Sequence, residues 1–275
     1  MEIFPDSIIK REYDCVFGKE GDWIEFISRK IGGSHRRRIR NRTGLRPCVQ
    51  QEGASVALWD IQEEAGKAAV REICSQGGTA EFFLCDMTEE AQIGEAASRT
   101  CRAFGRMDVL VGNAGIAERK TMLEDMDMND FRRVINVNLT GVVMSNKYAV
   151  KYMMQNPGPV RGSVVNVASI LGMVGAPMST AYPAAKAAVI NFTRAQAVTY
   201  GPLGIRFNSI SPGYVNTPLL KNLPEELIHS RVALHPMGRF AEPAEIAEAV
   251  LFLAGPSASF ITGSNLAADG GYTAQ

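Results

Sequence analysis

Histidine is scarce in this chain. Only three occur in 275 residues, at positions 35, 229 and 235, and they form no cluster. That argues against a metal centre and against a Ser-His triad. Cysteine is little commoner: the five, at 15, 48, 74, 85 and 101, show neither a CxxC pair nor metal-ligand spacing. They read as free thiols in a reducing cytosol. No apolar run approaches the ~20 residues that a membrane span requires. The start, Met1-Glu2-Ile3-Phe4-Pro5-Asp6, lacks a basic segment followed by an apolar stretch, which argues for a cytoplasmic protein over a secreted one. Net charge is missing too. With 29 basic and 29 acidic residues, no overall field draws nucleic acid or a membrane surface.

What is present is alternation. From Glu52 onward, short apolar runs alternate with amphipathic stretches. Strands are expected at Ala54 to Trp59, Thr79 to Cys85, Met107 to Gly112, Val164 to Ala168, Ile205 to Ile210 and Ser264 to Ala268. Helices are expected at Glu63 to Ser75, Glu89 to Phe104, about Asn129 to Met154, Ala181 to Tyr200 and Pro243 to Leu253. Strands and helices in this order imply an α/β fold, a doubly wound parallel sheet (Rossmann-like) in a single domain over residues 51–275. Leu219 to Ala241 reads as one long irregular insertion, with apolar content suited to covering a pocket for an apolar or alicyclic substrate.

The chemistry concentrates between Ser169 and Lys186. Tyr182 and Lys186 stand four apart, so they share one face of the expected helix. An ammonium beside a phenol favours the phenolate and draws the tyrosine pKa down from its usual ~10. Such a tyrosine can protonate a carbonyl oxygen or take the proton of an alcohol. Ser169 ends the apolar run Ser163 to Ala168 and can deliver a hydroxyl to the same oxygen. A strand-end cap is the plainer role for Ser169, and a solvated helix face the plainer one for a lone Tyr-Lys pair.

The neighbouring motifs weigh against those plainer roles. Asn113-Ala114-Gly115 ends a strand, Asn136-Val137-Asn138-Leu139-Thr140-Gly141 falls in a helix, and Pro212-Gly213-Tyr214-Val215-Asn216-Thr217 follows another strand. With the Ser-Tyr-Lys set, this ordered series resembles the short-chain dehydrogenase/reductase family. The resemblance implies an oxidoreductase acting on a small-molecule alcohol or ketone, with Asn138, Ser169, Tyr182 and Lys186 as catalytic set. It implies that Asn138 anchors a water in a proton relay, although a buried helix amide is the plainer reading. It implies a nicotinamide cofactor held by Asp60, Ile61, Asp86, Met87, Asn113, Ala114, Gly115, Tyr182, Lys186, Pro212, Gly213, Val215 and Thr217. It also implies a homotetramer. Asp60, closing its strand, suits the adenosine ribose and would repel a 2′-phosphate, which favours NAD over NADP. Asp60 and Asp86 also suit the capping of the helices that follow them.

One family feature is absent. No Gly-rich phosphate turn occurs before Asp60, and residues 1–50 are atypical, with Arg36, Arg37, Arg38, Arg40, Arg42 and Arg46 crowded together. A nucleic-acid arm and an Arg-rich transit peptide are two readings of that cluster. A third is a frameshift over about residues 33–49. Slid by one nucleotide, codons permitted by Ser34 to Gln50 can spell Val-Thr-Gly-Ala-Ala-Ser-Gly-Ile-Gly and a helix start, about 20 residues before Asp60 as a dinucleotide fold requires. If the printed frame is correct, the alternative is a non-catalytic remnant without a pyrophosphate cradle. Sequencing the gene across codons 20 to 55 should reveal two compensating single-base changes; a confirmed frame without the hidden loop would end the idea.

Overall fold

The computed structural model describes residues 54–217 and 224–275. The atypical segment 1–50, and Leu219 to Leu223 of the expected insertion, lie outside them. Among the described residues the strands are β1 (Ser55–Asp60), β2 (Thr79–Leu84), β3 (Val109–Gly112), β4 (Gly162–Val167), β5 (Ile205–Pro212) and β6 (Asn265–Ala268). The main helices are α1 (Glu63–Ser75), α2 (Glu90–Phe104), α3 (Met128–Ile135), α4 (Val142–Met153), α5 (Ala181–Tyr200), α6 (Glu225–Val232) and α7 (Pro243–Ala254). Every strand pair is parallel, as expected of strands joined by helical crossovers.

Strand order is β1-β2 in one ladder and β3-β4-β5-β6 in another. Among the described residues β1 pairs only with β2, and β3 only with β4. The strand side chains alternate between two apolar layers. Ala57 and Trp59 pack with Phe83, Ile93, Met107, Leu110 and Phe207, while Val56 and Leu58 pack with Ile73, Val111, Val165, Ile246 and Leu253. Every residue of β4 is buried, as its near-continuous apolar run requires of a central parallel strand. Of its two polar residues, Ser163 donates to the Leu253 carbonyl and Asn166 is fully matched. The Asn166 amide exchanges two hydrogen bonds with Asn146 at 2.9 and 3.1 Å and donates to Thr193 at 3.0 Å. That network sets the register of α4 and α5 on β4, since a slipped partner would leave buried polar groups unmatched.

Two expectations change. The helix expected from about Asn129 to Met154 runs over nearly that span but widens into a π segment at Asn136–Gly141. A Cβ on Gly141 would come 2.7 Å from the Met87 carbonyl oxygen, so the helix needs glycine where it crosses the end of β2. The insertion Leu219 to Ala241 is not wholly irregular, because α6 lies within it. Glu225 and Glu226 in its first turn and His229 and Arg231 in its last suit the helix dipole. None of its residues is buried, so no apolar periodicity betrayed it.

The chain after Ser169 lies flat on α5. A Cβ on Gly172 would sit 2.8 Å from the Lys186 carbonyl carbon and 2.9 Å from the Ala187 nitrogen. Backbone cannot yield as a side-chain tip can. Gly172→Ala should lower stability in chemical denaturation by about 1–3 kcal/mol, the usual range for overpacking.

Candidate active site

The C-terminal edge of a parallel sheet is where open α/β folds bind ligands. Here that edge collects the ends of β3, β4 and β5 together with the start of α5. Tyr182 is the second residue of α5, and Lys186 follows one turn later. Lys186 is only 3% exposed. Its Nζ donates to the Val167 carbonyl at 2.8 Å and lies 5.7 Å from the centre of the Tyr182 ring. Burial pushes its pKa down to about 8, so the ammonium persists at neutral pH but is held at a cost.

Asn138 sits within the π segment, fully buried. Its Oδ1 accepts the Ile116 N–H at 2.7 Å and its Nδ2 donates to the Ile116 carbonyl at 2.9 Å. Gly115 lies between the two polar side chains: a Cβ there would stand 3.5 Å from Asn138 Oδ1 and 3.6 Å from Lys186 Nζ. Ser169 follows β4 in extended backbone, and its Oγ accepts the Leu171 N–H at 3.2 Å. The capping role is therefore real, and it leaves the hydroxyl proton free to donate elsewhere.

The expected cofactor residues line the same edge. Asn113 is buried, and its Oδ1 has no hydrogen-bond partner among the described residues. A buried acceptor without a donor is rare, and it fits a ligand that brings one. Ala114 is buried beside it. Gly213 is pinned by its N–H to the Ala268 carbonyl at 3.1 Å, and a Cβ there would meet His235 Nε2 at 2.9 Å. Pro212 ends β5, Val215 bridges Ala241, and the Thr217 N–H donates to the Val215 carbonyl at 2.8 Å. Asp60, Ile61, Asp86 and Met87 stand at the ends of β1 and β2. Asp60 accepts the Gln62 N–H at 2.7 Å, and Asp86 accepts both the N–H and hydroxyl of Thr88. These are local turn contacts of the capping kind, and they coexist with a place on the ligand-binding edge.

Sequence reasoning missed Glu118. Its carboxylate accepts the N–H groups of Thr180, Ala181 and Tyr182 at 2.9, 2.7 and 3.1 Å, and the Ser179 hydroxyl as well. It caps α5 from 62 to 64 positions upstream and meets the positive end of the helix dipole. A local capping rule cannot detect a partner so distant. The helix carrying Tyr182 is thus fastened to the loop that Asn138 holds.

Parallel strands, a buried lysine under a tyrosine, and a strand-end serine make a site able to exchange a proton with an alcohol or ketone oxygen. Comparison with known proteins places the chain in a family. A family model described as enoyl-(acyl carrier protein) reductase matches residues 48–273. The cis-4-hydroxycyclohexanecarboxylate dehydrogenase of Sinomonas cyclohexanicum is 45% identical, over 82% of this chain and 89% of its own length. The cyclopentanol dehydrogenase of Comamonas sp. (strain NCIMB 9872) is 40% identical, over 84% and 92%. The crystal structure of a short-chain type dehydrogenase/reductase from Mycobacterium marinum superposes with a TM-score of 0.72 at 31% identity, covering 80% of this chain and 85% of that one. The chain belongs to the short-chain dehydrogenase/reductase family, whose chemistry implies a nicotinamide cofactor.

Lys186 titrates near 8 when folded, against an ordinary lysine value of 10.5. The unfolded chain therefore holds that proton more tightly. The folding penalty is full below pH 8 and fades as pH rises towards 10.5. Lys186→Met should remove roughly 3 kcal/mol of that penalty at neutral pH, and lose part of the gain by orphaning the Val167 carbonyl. A net stabilisation of about 1–2 kcal/mol, with a flatter stability curve between pH 8 and 10.5, is expected in denaturation titrations. A destabilised variant would contradict it.

Proposed function

We propose that the protein is an NAD-dependent dehydrogenase that interconverts an alicyclic secondary alcohol and its ketone. The observation that carries this reading is Lys186, buried and charged within 5.7 Å of the Tyr182 ring centre. Its charge favours the phenolate, so Tyr182 takes the hydroxyl proton of the alcohol and returns it to the ketone in reverse. Ser169 donates its hydroxyl proton to the same oxygen and steadies the charge that develops there. A bound nicotinamide would supply the hydride acceptor, chemistry that no side chain offers. Asn113, Gly115 and the Pro212 to Thr217 turn would hold it, with Lys186 on its ribose and Asp60 on the adenosine ribose. Asp60 disfavours a 2′-phosphate by charge and so supports NAD over NADP. Asn138 engages both side-chain polar atoms with Ile116, so any part in a proton relay falls to its main chain, where the π segment disturbs the regular carbonyl ladder.

The ring-alcohol preference rests on the relatives, two of which are named for cyclohexane and cyclopentane alcohols. The frameshift over about residues 33–49 forms part of the same proposal. The family match begins at residue 48, close to where the expected frame returns, and among the described residues one edge each of β1 and β3 is open to a further strand. Tyr182→Phe should lower kcat for cyclohexanol oxidation by at least about 1,000-fold, within the range for losing a general base, while circular dichroism and NAD affinity stay as in the parent. Retained turnover would overturn the assignment. Absence of saturable NAD binding by the parent chain would favour the remnant.

A further inference from the structure

Two cations, Arg231 and Lys120, form no salt bridge among the described residues, although the Glu118 charge acts on Lys120. Arg231, in the last turn of α6, places its guanidinium 5.0 Å from the centre of the Tyr214 ring. Its Nη1 donates to the Tyr214 hydroxyl. Its Nε is shut away from water and has no hydrogen-bond partner among the described residues. Folded proteins seldom leave a buried donor unmatched unless a ligand or a function requires it.

Lys120 follows Glu118 by two residues. Its pKa is lowered first by desolvation and then by the charge of Arg231, while Glu118 opposes both. The two cations therefore feel one another. The Glu118 oxygens are hydrogen-bonded to three N–H groups and a hydroxyl, so the carboxylate acts on Lys120 by its charge and no hydrogen bond to it is seen. Arg231 also acts on Tyr272, opposing the rise that burial and Tyr214 impose on that phenol.

Both cations are tied to catalytic elements. The Arg231 carbonyl lies 2.9 Å from His235 Nδ1, and His235 Nε2 accepts the Tyr214 N–H at 3.2 Å. Tyr214 directly follows the Pro212-Gly213 turn. On the other wall, the N–H of Thr121, next to Lys120, donates to the Met178 carbonyl at 3.1 Å. Met178 belongs to the loop between Ser169 and Tyr182.

We infer that the substrate carries a carboxylate, gripped by Arg231 with Lys120 as second cation, on the part of the molecule remote from the carbinol. This rests on the dehydrogenase reading. With Nη1 taken by the Tyr214 hydroxyl and Nε buried, Nη2 is the guanidinium group left to donate to a carboxylate in a charge-assisted bond. The Tyr214 and Tyr272 rings beside it suit the apolar body between acid and alcohol.

The test is calorimetric titration of the full chain with cyclohexanecarboxylate, cyclohexanecarboxamide and inorganic phosphate, with and without NAD. The acid should bind at least about tenfold more tightly than the amide, the scale of a charge-assisted pair. Arg231→Met should abolish that preference and Arg231→Lys should keep part of it. If Arg231→Met does not fold, Lys120→Met replaces it and should narrow the preference. Equal binding of acid and amide, tighter binding of phosphate, or an undiminished preference in the variants would overturn the inference. Turnover separates the two readings. Selective acid binding with no oxidation of cyclohexanol or hydroxycyclohexanecarboxylates would sink the dehydrogenase and leave the carboxylate site. Oxidation of these alcohols with no preference for the acid would do the reverse.

Discussion

Keeping an ammonium dry beneath a phenol is the constraint around which this molecule is arranged. Lys186 has given up water for one carbonyl, that of Val167, at 2.8 Å. Burial disfavours its charge, and the pKa of about 8 records how far. A protein selected only for stability would place an apolar side chain there. The cation lies instead 5.7 Å from the Tyr182 ring centre, where its charge acts more strongly than it would in water. Under the proposed mechanism, stability is given up where chemistry is gained.

Holding that arrangement takes a chain of polar contacts across several elements. Asn138 grips Ile116 by both of its polar atoms, and Arg133 reaches the Ala117 carbonyl at 3.3 Å. Glu118 then fastens the first turn of α5. Below them, Asn146, Asn166 and Thr193 lock α4 and α5 to β4. The loop after β3 and α5 are therefore joined by hydrogen bonds as well as by packing. Such networks specify a unique packing more than they add to stability.

The opposite wall of the cleft is built differently. Tyr214, His235, Phe240 and Tyr272 form an aromatic cluster, with ring centres 5.3 to 6.4 Å apart. His235 is buried and serves as a hinge pin between α6 and the turn after Pro212. His235 acts as a bifunctional hydrogen-bonding spacer, one ring nitrogen on the Arg231 carbonyl and the other on the Tyr214 N–H.

Much of this was legible in the chain itself. Hydrophobic periodicity located α1 and α5 with the ends they have in the structure, and placed the six strands to within two residues. The order Asn113, Asn138, Ser169, Tyr182, Lys186, Pro212 defined a family before any contact was seen. Those features are local, or recur at fixed spacing, and a sequence displays them directly. Three matters were decided only in space. The π segment at Asn136–Gly141 arises where a helix must pass the end of β2, and no propensity encodes that crossing. Helix α6 buries no residue, so its pattern carries no apolar stripe. Glu118 meets the first turn of α5 because folding brings distant segments together, and a side chain's partner across 60 or more residues leaves no mark on its neighbours in the chain.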